Sequence, residues 1–400
     1  MNRNALTLLA CMSIMAAMGS LYVFSIFLVP WEELLGASRS EVSSIFSAAM
    51  VATTIGIFIG YKLYHLLAPS YFATTVCFVA AAGAALAGAG TSLPPIWLGY
   101  GLLFGGANGI GYGFAIQIAA QAMPERKGFS IGLVAAFYAI GTVLAPPALQ
   151  AALDIGGIAA AMNFLAIAYA VIGLLAGTLL KISGAKFEPE RRDKAAKAPP
   201  GSFHTEAILW LGYGTAAAAG VMAFGHGAGI VAAAGGTGTS VAAGPSLIAA
   251  GYMVGSLVAG WLADRVSIRT LLTALPLLSA GMLLLLAQGG PPLYILSCLG
   301  LLGLTYGALV VVYPTAVAVY FGILAGGRIY GRVCIAWGIA GFLAPWFAGL
   351  LYDRTGAYGT ALVVAAGTGA TSALIVRFLP KQGIPTLDWR NPAVESEPLT

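Results

Sequence analysis

Charge is what this sequence has least of. Asp, Glu, Lys and Arg make up 8% of its 400 residues, against roughly 25% in soluble domains. A water-facing surface cannot be assembled from so few charges, which excludes a soluble globular protein. Cysteine is scarce too. The four thiols, Cys11, Cys77, Cys298 and Cys334, each fall inside an apolar run and form no Cys-x-x-Cys pair. Neither a disulfide framework nor a metal clip is indicated. No His-Glu-x-x-His, no paired aspartates within an apolar run and no Walker-type phosphate loop occur. The usual signatures of an intramembrane enzyme or an ATP-driven pump are thus missing. The expectation is a protein that is not an enzyme and uses no cofactor and no metal.

What the sequence has is hydrophobic length: 59% of the residues are apolar. One membrane-spanning helix takes ~20 apolar residues. Apolar segments run 5–30, 41–66, 71–91, 95–122, 128–152 and 157–181, then 207–233, 241–263, 269–288, 292–322, 328–351 and 357–379. The charged stretch from Lys181 to Glu206 separates the two sets of six. The expected fold class is an all-α membrane protein with 12 transmembrane helices in two pseudo-symmetric six-helix bundles. The expected units are residues 1–181, a linker at 182–206, residues 207–379 and a polar tail at 380–400. Arg3 followed by an apolar run resembles a signal peptide, but the run continues to Pro30. That is too long for a cleaved leader, so a retained first span is expected.

The net charge is +5, and its placement explains it. With both termini cytoplasmic, all of the 19 Lys and Arg residues except Arg39 and Arg354 fall on the cytoplasmic face. That is the positive-inside pattern, an orientation signal that implies no nucleic acid. The expected setting is a lipid bilayer, as a multi-pass monomer of a bacterial plasma (inner) membrane.

An internal repeat supports the two halves. Gly132 through Pro146 parallels Gly331 through Pro345 at a constant offset, which makes Tyr138 and Trp337 equivalent positions. Two halves related by an axis along the membrane normal, with a solute site between them, describe a rocking transporter.

The stretch from Gly251 to Arg269 combines two signals. Gly251, Gly255, Ser256, Ala259 and Gly260 are small residues on one apolar helix, which lets helix backbones approach closely. Asp264, Arg265 and Arg269 follow in a tight turn, which marks an aqueous face. Gly260, Asp264, Arg265 and Arg269 are candidate gating residues. The equivalent place in the first half has Gly56 and Gly60 followed by Tyr61-Lys62, with no Asp-Arg pair.

Several stretches together resemble the major facilitator superfamily, and within it the branch of oxalate/formate antiporters and monocarboxylate transporters. They are Tyr22 through Pro30, Gly109 through Gly113 with Pro124 through Gly128, Gly260 through Arg265, and Tyr330 through Pro345 with Ala348 through Gly356. The resemblance implies a secondary transporter of a small monocarboxylate or related organic acid. It also implies that the Gly260–Arg265 turn clamps the cytoplasmic side. Two positions depart from the branch. Ser256 stands where an arginine is common, and Trp337 stands near where oxalate-type members place a lysine. A carboxylate entering a low-dielectric site needs a cation or several strong donors, because its desolvation costs several kcal/mol. A neutral or weakly polar solute is the alternative that these replacements favour.

The one titratable group well inside an apolar run is His226, flanked by glycines in Phe224 through Gly229. The glycines predict a broken helix there, of the kind tolerated where backbone lines a cavity. An imidazole titrates near pH ~6.5 when unperturbed, so His226 is the candidate for proton coupling and solute binding. A hydrogen-bonded histidine near the outer interface is the other reading. Candidate solute contacts are Tyr22, Asn108, Tyr112, Tyr138, Ser256, Tyr306, Tyr313 and Trp337, polar or aromatic groups within spans. Met12, Met15 and Met18 form a stripe at helical spacing, with Met222 four residues before His226. Thioether and imidazole ligands would suit copper, but plain packing is the commoner role of methionine.

Overall fold

A computed structural model describes residues 3–60, 62–123, 127–187, 202–263 and 265–380, excepting the side chains of 127–129, 202 and 322–328. Among them, eleven helical runs are long and apolar enough to cross a membrane. One, 130–183, is broken at Gly156 and Gly157, whose φ values of −150° and 65° leave the helical region. That gives twelve spans: α1 (Arg3–Leu35), α2 (Arg39–Gly60), α3 (Pro69–Gly88), α4 (Leu93–Ala122), α5 (127–155), α6 (158–183), α7 (Phe203–Ala233), α8 (Thr239–Ala263), α9 (Ile268–Ala287), α10 (Pro292–Phe321), α11 (Ile329–Thr355) and α12 (Gly359–Phe378). The helix from Pro292 to Thr355 does not run straight. The Trp337 indole donates to the Tyr306 hydroxyl at 2.7 Å, whereas 31 residues of straight helix would separate them by about 46 Å. The chain therefore reverses between α10 and α11. The segment boundaries match the apolar runs closely. The largest slip is at the second span, expected at 41–66 and found at Arg39–Gly60. Of the expected linker and tail, residues 188–201 and 381–400 lie outside the described residues.

Glycines set the close contacts within each half, and they do so twice. On α4, Gly105 lies against the Ala49 backbone and Gly109 against the Thr53 backbone of α2. On α10, Gly303 lies against Ile248 and Gly307 against Tyr252 of α8. The spacing is regular: 248 − 49 and 252 − 53 are both 199, while 303 − 105 and 307 − 109 are both 198. Gly56 against Gly106, and Gly255 against Leu304, follow the same rule. A side chain at these sites would meet backbone, so the small residue is what permits the helix separation.

The irregular backbone lies in α1, not in α7. The α7 helix continues unbroken through Gly225, His226 and Gly227, which corrects the break expected there. Its glycines serve contact instead. A Cβ on Gly225 would lie 3.0 Å from Pro345, and one on Gly227 2.7 Å from Ile248. In α1, by contrast, Gly19–Phe27 tightens into a 3₁₀ stretch. Its geometry leaves carbonyls outside the α-helical ladder, and neighbouring side chains take them up. Tyr169 donates to the Ala17 carbonyl at 2.7 Å, Asn108 to Met18 at 2.5 Å, Thr142 to Gly19 at 2.8 Å and Tyr100 to Leu21 at 3.1 Å. Unsatisfied backbone at membrane depth costs several kcal/mol per group, so these four donors are what make the distortion affordable.

The halves meet most extensively along two helix pairs, α2 with α11 and α5 with α8, and α1 also packs against α7. Towards the face opposite the termini, a Cβ on Gly349 would lie 2.8 Å from the Ser40 Cα. Further along, one on Gly341 would lie 3.1 Å from Met50, and one on Gly338 2.8 Å from Thr54. Ser246 of α8 donates to the Val143 carbonyl of α5 at 3.0 Å. Nearer the terminus face, Gly132, Gly260 and Gly331 have nothing within 4 Å of a Cβ position.

Candidate functional site

At the middle of the seam, aromatic side chains from both halves converge. Tyr22 on the 3₁₀ stretch of α1 has its ring 5.9 Å from Tyr138 of α5 and 4.4 Å from Phe224 of α7. Phe224 continues to Tyr252 at 6.5 Å and to Tyr306 at 6.0 Å, and Tyr252 meets Tyr306 at 5.8 Å. Tyr112 stands edge-on to Tyr138 at 5.6 Å. Tyr22, Tyr112, Tyr138, Tyr252 and Trp337 are half-buried, while Tyr306 and Asn108 are buried. A gap of about 10 Å³ between Tyr22, Tyr138, Phe224 and Tyr252 is room for about one water. No member of this cluster carries a charge.

The hydrogen bonds of the cluster repeat with the fold. Tyr138 donates to the Asn108 side-chain oxygen at 3.4 Å, and Trp337 donates to the Tyr306 hydroxyl at 2.7 Å. The offsets are 337 − 138 = 199 and 306 − 108 = 198, those of the glycine contacts. Tyr22, Asn108, Tyr112, Tyr138, Tyr306 and Trp337 are thus brought together. Tyr252 and Phe224 belong with them and were not singled out in the sequence. Their signal was available, because Tyr252 is the repeat partner of Thr53 and Phe224 lies two residues before His226.

Three candidates lie apart. Tyr313 is fully buried below the cluster, stacked on Tyr213 at 4.3 Å. The Ser256 hydroxyl donates to the carbonyls of Tyr252 and Gly307 at 2.8 and 3.1 Å, so its proton is engaged in the α8–α10 contact. His226 is fully buried towards the face opposite the termini. Its Nε2 lies 2.8 Å from the Pro345 carbonyl and its Nδ1 3.1 Å from the Tyr358 hydroxyl, with Ser43 at 3.4 Å from Nε2. A carbonyl can only accept, so Nε2 carries a proton, and in the neutral ring Nδ1 accepts from Tyr358. The Tyr358 oxygen in turn accepts from Arg39 Nη1 at 2.8 Å. The donor direction is therefore consistent from Arg39 through Tyr358 and His226 to Pro345, with a neutral imidazole.

Of the gating candidates, Asp264 lies outside the described residues. Arg265 donates to the Trp261 carbonyl at 3.0 Å and stacks on that ring at 4.2 Å. Arg269 donates to the Arg377 carbonyl. Gly260 is exposed. Met15, Met18 and Met222 are buried in packing. A larger cavity of about 420 Å³ between α7, α11 and α12 is almost wholly apolar. Exposed Leu211, Ile339 and Leu343 on its rim turn it towards lipid and away from the seam.

Comparison with known proteins agrees with this architecture. A family model described as Major Facilitator Superfamily matches residues 9–249. The chain is 22% identical over 345 residues to the uncharacterized MFS-type transporter YhjX of Escherichia coli (strain K12), covering 84% of this chain and 85% of that one. It is 26% identical over 309 residues to monocarboxylate transporter 11 of Mus musculus, covering 72% and 68%. Among solved structures, a peptide transporter, POT, superposes with a TM-score of 0.77 at 11% identity, covering 93% of each chain. The nucleoside transporter NupG superposes with a TM-score of 0.77 at 12% identity, covering 95% of this chain and 100% of that one. At such identities the structural likeness speaks to the fold alone.

Proposed function

This chain belongs to the major facilitator superfamily, and we propose that it moves a small organic solute across a bilayer by alternating access, binding it uncharged at the seam. The observation that carries this reading is the aromatic cluster with its two repeat-related hydrogen-bonded pairs, Tyr138 with Asn108 and Trp337 with Tyr306. Hydroxyl, amide and indole groups at the contact between two halves suit a small polar solute. Without a cation there, a carboxylate would lose its hydration and gain no counter-charge. The solute is a monocarboxylic acid carried together with a proton, so that the pair crosses without net charge. The relative named for monocarboxylate transport supports that class. His226 exchanges the coupling proton at the face opposite the termini. The termini face the cytoplasm of a bacterium, the membrane is its plasma membrane, and the Gly260–Arg269 turn clamps the cytoplasmic side.

Proteoliposome uptake of lactate, pyruvate and oxalate under an imposed pH gradient tests this. The two monocarboxylates should accumulate and oxalate should not. Accumulation of oxalate would contradict an uncharged site. The replacement of both cationic anchors, by Ser256 and Trp337, favours a second reading in which the solute is neutral or weakly polar. In that case none of the three acids is taken up and none competes.

A further inference from the structure

We propose that Asp353 is the latch of the face opposite the termini, closing it by capping α2 from across the seam. The α2 helix begins in a capping box. Ser38 donates its N–H to the Glu41 carboxylate at 2.8 Å, and the Glu41 N–H points back at the Ser38 hydroxyl at 3.4 Å. That leaves the amides of Arg39 and Ser40 among the first-turn donors that no intrahelical partner can satisfy. Asp353, at the far end of α11, takes both: Oδ1 accepts from the Arg39 N–H at 2.8 Å and Oδ2 from the Ser40 N–H at 2.9 Å. A carboxylate on a helix N-terminus is also favoured by the partial positive charge there. The unusual feature is that cap and helix come from different halves, 314 residues apart.

The neighbouring arginine is built to let go without stranding a charge. Arg39 is buried, and its Nε and Nη2 are held by Glu32 of its own half at 2.5 and 2.6 Å. Its contacts with the other half are uncharged. The guanidinium lies 3.9 Å over the Tyr352 ring, and Nη1 donates to the Tyr358 hydroxyl at 2.8 Å. If the halves part, the Arg39–Glu32 pair travels with the first half. Asp353 and the two amides are at the membrane edge, where Asp353 is exposed, and water can replace each for the other. Each charge then has a partner or water in both states, as a reversible closure needs and a permanent weld does not.

The inference rests on the two halves rocking, so the test reads both faces and needs no solute. Spin-label pairs at Ala37→Cys with Ala357→Cys report the latch face. Pairs at Gly132→Cys with Gly331→Cys, where a side chain meets open space, report the other. Distances are measured in nanodiscs for the unmodified latch, for Asp353→Asn, for Asp353→Glu and for Ser40→Pro. The last removes one amide donor at a first-turn position, where proline is tolerated. Asp353→Asn and Ser40→Pro should each shift the latch-face population several-fold towards the longer distance and the opposite face towards the shorter one. Asp353→Glu should restore part of the original distribution. If Asp353→Asn does not yield a folded protein, Ser40→Pro decides alone. Two populations on the Gly132–Gly331 pair with no shift in Asp353→Asn or Ser40→Pro would overturn the latch. A single, unchanging distance on both faces in every variant would overturn the rocking reading as well.

Discussion

Trp337 and Tyr306 share the best-formed hydrogen bond of the seam cluster, indole N–H to hydroxyl at 2.7 Å. The first half has its counterpart at the repeat-equivalent positions, where Tyr138 donates to Asn108. The chemistry differs between the two pairs while the geometry is kept. One half offers an amide that also ties down the Met18 carbonyl of α1. The other offers a tyrosine hydroxyl that accepts from the indole. The repeat thus places one hydrogen-bonded pair on each side of the seam.

Removing one pair should weaken solute binding without unfolding the protein. Trp337→Phe keeps the ring and deletes the donor. A rise in KM of roughly three- to tenfold is expected, the scale of one net hydrogen bond of about 0.7–1.4 kcal/mol. Tyr138→Phe breaks a longer bond and should raise KM less. Uptake kinetics in proteoliposomes check both, and equal KM values for the two variants and the wild type would rule out a contact role.

The glycine contacts make a prediction about stability. Gly109→Ala and Gly307→Ala each press a methyl group into backbone of the neighbouring helix, an overpacking that costs about 1–3 kcal/mol. Gly132→Ala and Gly331→Ala meet nothing and should be tolerated. Thermal unfolding in detergent should separate the two pairs, with similar losses for Gly109 and Gly307.

His226→Gln tests the proton. Glutamine can still donate to the Pro345 carbonyl but cannot be protonated at neutral pH. Solute exchange down its own gradient should persist, and accumulation driven by a pH gradient should be lost. Unchanged pH-driven accumulation would leave His226 a purely structural hydrogen-bonding residue.

Asp264→Asn tests the gating turn. Transport should slow while insertion and expression remain normal, because Lys and Arg set orientation and acidic residues contribute little to it. A wild-type rate would remove the turn from the gating mechanism.

How much of this was readable in the sequence follows from how local each signal is. Span positions depend on runs of ~20 apolar residues, which need no tertiary context, and they were found within a few residues. The offset between Gly132–Pro146 and Gly331–Pro345 pairs Tyr138 with Trp337 from the sequence alone. The α1 distortion could not be read, because it depends on donors from α4, α5 and α6, none near it in sequence. The glycines around His226 misled for a related reason: in a membrane helix, glycine serves close packing as often as unwinding, and only the neighbours Pro345 and Ile248 distinguish the two. Arg39 and Asp353 looked like ordinary span-end charges, since their partners are more than 300 residues away.

The central claim is that the solute crosses the seam without net charge. Proteoliposomes loaded with buffer can be given either a pH gradient with the membrane potential clamped at zero, or a potential with the pH equal on both sides, and uptake of labelled pyruvate or lactate followed in each. Accumulation under the pH gradient and none under the potential alone is the predicted result. Accumulation driven by the potential alone would mean that net charge moves through the seam, and would contradict the account.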